Sequence, residues 1–566
     1  MATSEGLTFQ ELMLEELMLE ELTPQALWEG LRHDWLVELN SAGTCGTRTS
    51  PEIWRKEVER RRDRLKHIAS HIANHIANHI ANPVANNHVA NGKITSAAPL
   101  LLIADPLPTS FLASFLAALL AGWNVAIANP RWGVQEWQSV SALIAPDLVW
   151  GADLPRSLVS DKASKASELA ANVALTLPKS PAILIPTGGS SGQIKFVCHL
   201  WSSLTASVNG FRQYFGPDGE AINTFCVLPL HHVSGLMQIL RTWYSNGQTI
   251  IAPPNILKSL ELLSVNDALP SFFSSSAALS FISLVPTQLS EILKTSQSAW
   301  LRQFRSVLLG GAPPWQTLLD QASEAQVPLC LSYGMTETAA MVTVSSGKPL
   351  PHVAIQIVEN GQPLPPGQVG QIVVRSPAVA WGYCGAPAFS SNTFYTDDLG
   401  YLSTDGTLHI TGRASTKIIS GGENIFPAEV EAAIWRTGQV KDVCVLGLPH
   451  PHWGEAVIAV YVPADSGVCA ESLRQAIAQT RSNNADVKAP MLSRYKHPKR
   501  WVSTTALPRN AQGKLNRHQL LVHLLANGLA PALEADERAP LDLCKHGESM
   551  PLLAPFQVSR QLSQHK

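Results

Sequence analysis

The sequence predicts an α/β protein: a large N-terminal α/β domain of several subdomains, one of them β-rich, followed by a small C-terminal α+β domain. Three observations support this. From about Leu100, short apolar runs (LLLIA, NVAIANP, FCVLPL, TIIAPP, RSVLLGGAP) alternate with longer helix-like stretches such as SFLASFLAALLAG, as expected of a sheet covered by helices. After Leu350 the texture changes to short alternating strands and turns, as in VAIQIVENGQPLPPGQVGQIVVRS. Near Gly412 a last unit begins, with strand-like segments at 442–448 and 456–462 and a helical one at 471–481.

In chain order, residues 1–98 form an N-terminal segment, 99–411 the large domain, 412–525 the small domain and 526–566 a loosely ordered tail, poor in periodic apolar positions. A chain of 566 residues is too long for one core. Two repeats mark the N-terminal segment: ELMLEELMLEEL at 11–22 repeats every five residues and HIASHIANHIANHIAN at 67–82 every four. The second spacing would set His67, His71, His75 and His79 along one face of a helix, where they could bind a transition metal. With no carboxylate or cysteine converging on it in sequence, the tract reads instead as a repeat-expanded, solvent-exposed insertion ended by Pro83.

Composition narrows the function. A net charge of −2 offers no bulk attraction to nucleic acid or anionic membrane. Eight scattered cysteines without CxxC spacing read as reduced, packed thiols. The start MATSEGLTFQEL lacks a basic region followed by an apolar core, so no signal peptide is expected. The apolar run at 111–122 falls short of the roughly 20 residues of a membrane span. A cytoplasmic protein is expected.

Residues 187–195, TGGSSGQIK, follow the apolar stretch 182–185. Gly188, Gly189 and Gly192 let the backbone bring its N–H groups near an anion, Thr187, Ser190 and Ser191 add hydroxyl donors, and Lys195 adds a charge. A polyphosphate suits such a loop, although the spacing is neither GxxxxGK[ST] nor GxGxxG. A flexible Gly/Ser loop without a ligand is the alternative. Further segments decide between them: LGGAP (309–313) and SYGMTET (332–338) each after an apolar run, FYTDDLGYL (394–402), TGRASTKIISGGENIFP (411–427) and LPRNAQGKLNR (507–517).

In order and content these six segments resemble the adenylate-forming superfamily of acyl- and aryl-CoA synthetases, peptide-synthetase adenylation domains and firefly-type luciferases, over roughly residues 100–520. Within it, PTGGSSGQIKF, SLVPTQL (283–289), LLGGAP and ISGGENIFP look most like the o-succinylbenzoate-CoA ligases of menaquinone and phylloquinone synthesis, in their cyanobacterial form. The resemblance implies that ATP, Mg2+, CoA and a small carboxylic acid are bound. The acid attacks the α-phosphate, pyrophosphate leaves, and the acyl-adenylate then meets a thiol. Because both reacting groups are negative, positive charge must bring them together.

By motif match, Thr187, Ser190, Ser191, Gly192 and Lys195 would hold the β/γ-phosphates. Glu337 would help bind Mg2+, and Thr336 would touch the α-phosphate. Tyr333, beside Gly334, would pack on adenine against the backbone of Gly310, Gly311 and Ala312. Asp398 would accept from the ribose hydroxyls, with Arg413 close by. Lys514 matches the mobile catalytic lysine of the small domain, whose ammonium would bridge the substrate carboxylate and the α-phosphate. His232 in PLHHVSGL matches a histidine bordering the acyl pocket, though whether it or His231 faces that pocket is open, and Ser234 would reach a second carboxylate. After a rotation of the small domain, Gly421 and Gly422 would line the pantetheine path.

The chain departs from the common pattern at Gly188 and Ile194 in the phosphate loop and at Ser415 in the hinge, where Asp or Lys is usual. Only 49 residues follow Arg517 and none form a GGxS-type site, so free CoA rather than a carrier-protein domain is the expected acceptor. Two other readings are a CoA ligase for another aryl or fatty acid and, from a different class, a non-catalytic nucleotide-binding or scaffold protein. The presence of Glu337, Asp398, Arg413 and Lys514 argues against the last.

Overall fold

A computed structural model describes residues 23–25, 28, 36–39, 45–47, 51–81, 98–151, 178, 181–188, 194–253, 256–257, 279–479, 492–509 and 515–526. The chain divides into two compact units: Met1–Ala312 with Gln321–Ile410, and Pro313–Asp320 with Thr411–Lys566.

The first unit holds the expected α/β layers. One sheet has six strands in the order Gly382–Tyr383, Ile194–Leu200, Ala182–Gly188, Asn124–Ile127, Leu100–Ile103 and Leu148–Trp150. The last four of these are parallel, and the first three pair antiparallel. Leu100–Ile103 and Asn124–Ile127 are buried throughout, which is why they read as continuous apolar runs rather than alternating ones. Asn124 is the polar exception: its side-chain amide donates to the Ala98 carbonyl and accepts from the Ala182 N–H at 2.8 Å, tying neighbouring strands. The apolar run at 111–122 becomes helix Pro108–Leu120, its Phe111–Leu119 stretch wholly buried. A helix that is apolar on all sides belongs inside a core. Among the described residues no helix is long and apolar enough to cross a membrane.

A second sheet runs Leu329–Leu331, Ser306–Leu309, Leu279–Leu284, Ile222–Cys226, Thr249–Ile251, Leu36–Leu39 and Cys45–Thr47, parallel except for its last pair. The β-rich region expected after Leu350 is a five-stranded antiparallel sheet whose Gly370–Arg375 strand pairs with Ala354–Glu359 and Thr393–Leu402. Arg241, on helix Val233–Tyr244, is buried with its guanidinium 4.2 Å from the Phe211 ring centroid. Burial and that charge push the buried His352 imidazole down to about 3.

The large unit takes in residues ahead of 99, because strand Leu36–Leu39 pairs with Thr249–Ile251 and helix Pro51–Ala81 buries Trp54, Val58 and Leu65 along one face. The Trp54 indole N–H donates to the Thr109 carbonyl at 3.1 Å. The described part of the HIAN tract, 67–81, lies in this helix. The side chains of His71, His75 and His79, like repeat 11–22 and tail 527–566, lie outside the described residues. Residues 313–320 group with the second unit, where the Trp315 ring stacks on Trp435 at 4.6 Å.

The second unit is a five-stranded sheet of Glu423–Ile425, Ile418–Ser420, Gly454–Pro463, Val440–His450 and Arg500–Ser503, with helices Pro427–Trp435, Ala470–Gln479 and Arg517–Ala526. Its two long strands bury alternate residues on opposite faces. Val443, Val445 and Val457 enter one cluster, and Cys444, Leu446 and Ile458 the other.

Candidate active site

Two neighbouring parallel strands, Ser306–Leu309 and Leu329–Leu331, end side by side with Leu309 opposite Leu331. Ligands of open α/β sheets gather at such carboxyl ends. Gly310, Gly311 and Ala312 leave the first strand and Ser332, Tyr333 and Gly334 the second, with the Ser332 hydroxyl donating to the Leu309 carbonyl at 3.1 Å. A Cβ on Gly334 would lie 1.5 Å from the Ala340 carbonyl oxygen, so only glycine allows this turn to fold back. The Tyr333 hydroxyl donates to Asp398 Oδ2 at 2.6 Å, bringing those two expected ligands together. Asp398 is itself set by its N–H to Thr396 Oγ1, whose hydroxyl reaches the Ile372 carbonyl.

The loop at 187–195 is a β-hairpin rather than a strand-to-helix turn. Thr187 faces Lys195 and Gly188 faces Ile194, while Ser190, Ser191 and Gly192 lie outside the described residues.

Period-two alternation puts Lys195, Val197 and His199 on one face of strand Ile194–Leu200, and Tyr383 sits opposite Val197 on that same face. The Lys195 ammonium lies 5.4 Å from the Tyr383 ring centroid, and the Tyr383 hydroxyl donates to Glu337 Oε1 at 2.6 Å. Burial, then the Glu337 charge, push the Tyr383 phenol above its ordinary range, which keeps it a donor. One aromatic side chain thus joins an expected phosphate ligand to the expected metal ligand.

Glu337 and Thr336 sit in a short 3-10 turn, Thr336–Thr338, followed by two alanines at φ 51° and 84°. Non-glycine residues hold such angles only where surroundings enforce them. Ser207 donates to the Ala339 carbonyl at 2.8 Å, and the Ala340 N–H to Met335 at 3.1 Å. His199 is wholly buried, with Nε2 2.7 Å from the Thr336 carbonyl and Nδ1 2.9 Å from Ser203 Oγ. A carbonyl only accepts, so Nε2 carries the hydrogen and Nδ1 accepts from Ser203. Burial pushes this imidazole down to about 4, so it is neutral. His199 and Tyr383 were not singled out from sequence. The available signal was that His199 lies an even number of residues from Lys195 along a strand.

His231 and His232 are both half-buried, their ring centroids 4.4 Å apart. His231 is pushed down to about 4 by burial and then by Arg131, while His232 precedes helix Val233–Tyr244, with its carbonyl accepting from the Leu236 N–H at 2.9 Å. Ser234 is exposed on the helix's first turn.

In the second unit, Arg413 is exposed at the end of strand Leu408–Arg413. Gly421 and Gly422, at φ 61° and 84°, form the two-residue turn of the hairpin joining Ile418–Ser420 to Glu423–Ile425, as a turn with two left-handed positions requires. The Gly421 N–H donates to the Trp453 carbonyl at 2.8 Å. Lys514 lies outside the described residues, but both ends of its loop are anchored. Arg509 bridges Leu515 and donates to Asp442 at 2.6 Å; Arg517 donates to Glu431 and to the Val445 carbonyl, each at 2.6 Å.

A nucleotide-binding class of enzyme is what this arrangement defines, and sequence comparison specifies it. Residues 99–384 match the AMP-binding enzyme family and residues 429–514 the AMP-binding enzyme C-terminal domain. The chain belongs to the AMP-binding enzyme family, within the adenylate-forming superfamily. Among its relatives is a 2-succinylbenzoate–CoA ligase from Bacillus velezensis, 34% identical over 375 residues, covering 63% of this chain and 72% of the relative. The ligase of the same name from Bacillus licheniformis is 32% identical over 360 residues, covering 60% and 69%. The fold is similar to that of the o-succinylbenzoate CoA synthetase of Bacillus subtilis in complex with its acyl-adenylate intermediate. That match has a TM-score of 0.65 at 23% identity, over 90% of this chain and 97% of the other. The same synthetase has been solved with ATP and magnesium ion, again with a TM-score of 0.65 at 23% identity, over 90% and 99%.

Proposed function

We propose that this chain is an AMP-forming acid–thiol ligase that adenylates 2-succinylbenzoate, releases pyrophosphate and transfers the acyl group to CoA, a step of menaquinone or phylloquinone synthesis. The observation that carries the chemistry is the convergence of Lys195, Tyr383 and Glu337. The choice of acid rests on the relatives, at 34% and 32% identity.

In this reading Thr187, Ser190, Ser191, Gly192 and Lys195 hold the β/γ-phosphates, and Tyr333 and Gly334 with Gly310, Gly311 and Ala312 bind the adenine. Asp398 accepts from the ribose, with Arg413 nearby, and Thr336 contacts the α-phosphate. Glu337 is a hard oxygen donor suited to Mg2+, which is commonly held by one or two carboxylates plus substrate phosphates. When bound, that ion neutralises phosphate charge as pyrophosphate leaves. His199 and Ser207 hold the Glu337 turn through backbone carbonyls. Lys514 brings the substrate carboxylate and the α-phosphate together, His232 borders the acyl pocket, and Gly421 and Gly422 admit the pantetheine arm of CoA.

Pyrophosphate release and thioester formation with 2-succinylbenzoate, benzoate and a medium-chain fatty acid test the reading. kcat/KM for 2-succinylbenzoate should exceed the others by at least about 100-fold, the discrimination that a pocket misfit alone produces. Equal turnover would remove this acid and retain the class. Absence of adenylate from any acid would favour the scaffold reading.

Tyr383→Phe removes one hydrogen bond to a carboxylate, a contact of about 1.5–3 kcal/mol. Half-saturation of pyrophosphate release by Mg2+ should rise about tenfold at an unchanged ATP concentration. An unaltered Mg2+ titration would remove Tyr383 from the site.

A further inference from the structure

We propose that Cys198 and Cys384 form a peroxide-sensitive dithiol that closes into a cross-strand disulfide on the reverse face of the strands carrying Lys195, His199 and Tyr383. Gly382 lies opposite Cys198 and Tyr383 opposite Val197, and the Cys384 N–H donates to the Phe196 carbonyl at 2.9 Å. Since side chains alternate, Phe196, Cys198 and Cys384 share the face turned away from Glu337. There Cys198, Phe196 and Leu184 share one buried cluster, and Cys384, diagonal to Cys198 on the neighbouring strand, packs against it.

The two sulfurs differ in access and acidity. Cys198 is buried, whereas Cys384 is half-buried and can be reached from solvent. Accepting a hydrogen bond from Cys198 pulls the Cys384 thiol below its ordinary range, and that bond together with burial pushes the Cys198 thiol up. Cys384 is therefore the attacking thiol and Cys198 the resolving one.

Cys384 loses its proton to solvent, and its thiolate attacks one oxygen of hydrogen peroxide. The O–O bond breaks, leaving a sulfenic acid on Cys384, and the departing hydroxide takes up a proton as water. The Cys198 sulfur then attacks the Cys384 sulfur. The S–O bond breaks, and the Cys198 proton leaves with hydroxide as a second water. Two thiols and one peroxide give one disulfide and two waters, with peroxide as the two-electron oxidant.

Cys198 directly precedes His199 and Cys384 directly follows Tyr383, so closing the bond shifts the backbone of two of the side chains bonded to the Glu337 turn. Loss of adenylate formation on oxidation follows, and this consequence rests on the function proposed above.

The full-length chain, reduced and then treated with hydrogen peroxide, is alkylated, digested and analysed by mass spectrometry. A Cys198–Cys384 peptide pair about 2 Da lighter than the two thiol peptides should appear, vanish on treatment with dithiothreitol, and be absent from Cys384→Ser and Cys198→Ala. Adenylate formation should fall about tenfold with the cross-link, recover on reduction, and be unaffected by peroxide in Cys384→Ser. Recovery of Cys384 as an alkylatable thiol, or as sulfinic acid without a cross-link, overturns the dithiol. A cross-link that leaves adenylate formation unchanged overturns its effect on the site. A reduced protein making no adenylate from any acid counts against the proposed function, and the peptide mapping still decides the dithiol.

Discussion

Lys514→Ala is expected to abolish adenylate formation while sparing thioester formation from supplied acyl-adenylate. The first half-reaction brings a carboxylate against a polyphosphate, and an ammonium between them relieves the repulsion most at the transition state. The second half-reaction starts from an adenylate in which that repulsion no longer exists. The ends of the loop suit a lysine that must be placed well: Arg509 is fixed to Asp442, and Arg517 to Glu431 and the Val445 carbonyl. Loss of one oxyanion-hole donor alone costs about 10²–10³ in rate, which sets the floor for this variant. Acid-dependent pyrophosphate release measures the first half-reaction, and CoA thioester made from synthetic acyl-adenylate measures the second. Equal loss of both would give Lys514 a structural role instead.

Stability is expected to fall steeply as pH is lowered from about 6.5. His199 and His352 are buried and neutral in the folded chain, pushed down to about 4 and about 3. Burial is the main cause in each, joined for His352 by the Arg241 charge. In the unfolded chain both accept a proton near pH 6.5. Between these values the unfolded state binds more protons, so acid favours it; above about pH 7 neither histidine contributes, and below the folded values the effect saturates. Each histidine adds up to about 1.4 kcal/mol per pH unit, hence roughly 3 kcal/mol per unit for the pair between about pH 6 and 4. Urea unfolding at pH 7, 6 and 5 measures the slope. His352→Leu should flatten it by about 1.4 kcal/mol per pH unit, and an unchanged slope in that variant would show that acid acts elsewhere.

The chain order of the elements was readable because parallel strands buried on both faces are written as apolar runs. The start of the large unit was not. Leu36–Leu39 is four residues long, and its place beside Thr249–Ile251 depends on a partner more than 200 residues away. Likewise a Gly/Ser run before a lysine reads the same whether a helix or a returning strand follows. Pairing of Thr187 with Lys195 makes it a hairpin.

The sequence alone determined the family and the order of its six motifs, because ATP chemistry demands particular side chains at particular turns. Only the tertiary structure decided that Tyr383 joins Lys195 to Glu337, that His199 holds the Thr336 carbonyl, and that Cys198 and Cys384 share the face behind them. The physical reason is that strand register is set by backbone hydrogen bonds between distant segments. Each residue is written in the chain, but which face it shares, and with whom, is fixed only once the strands are paired.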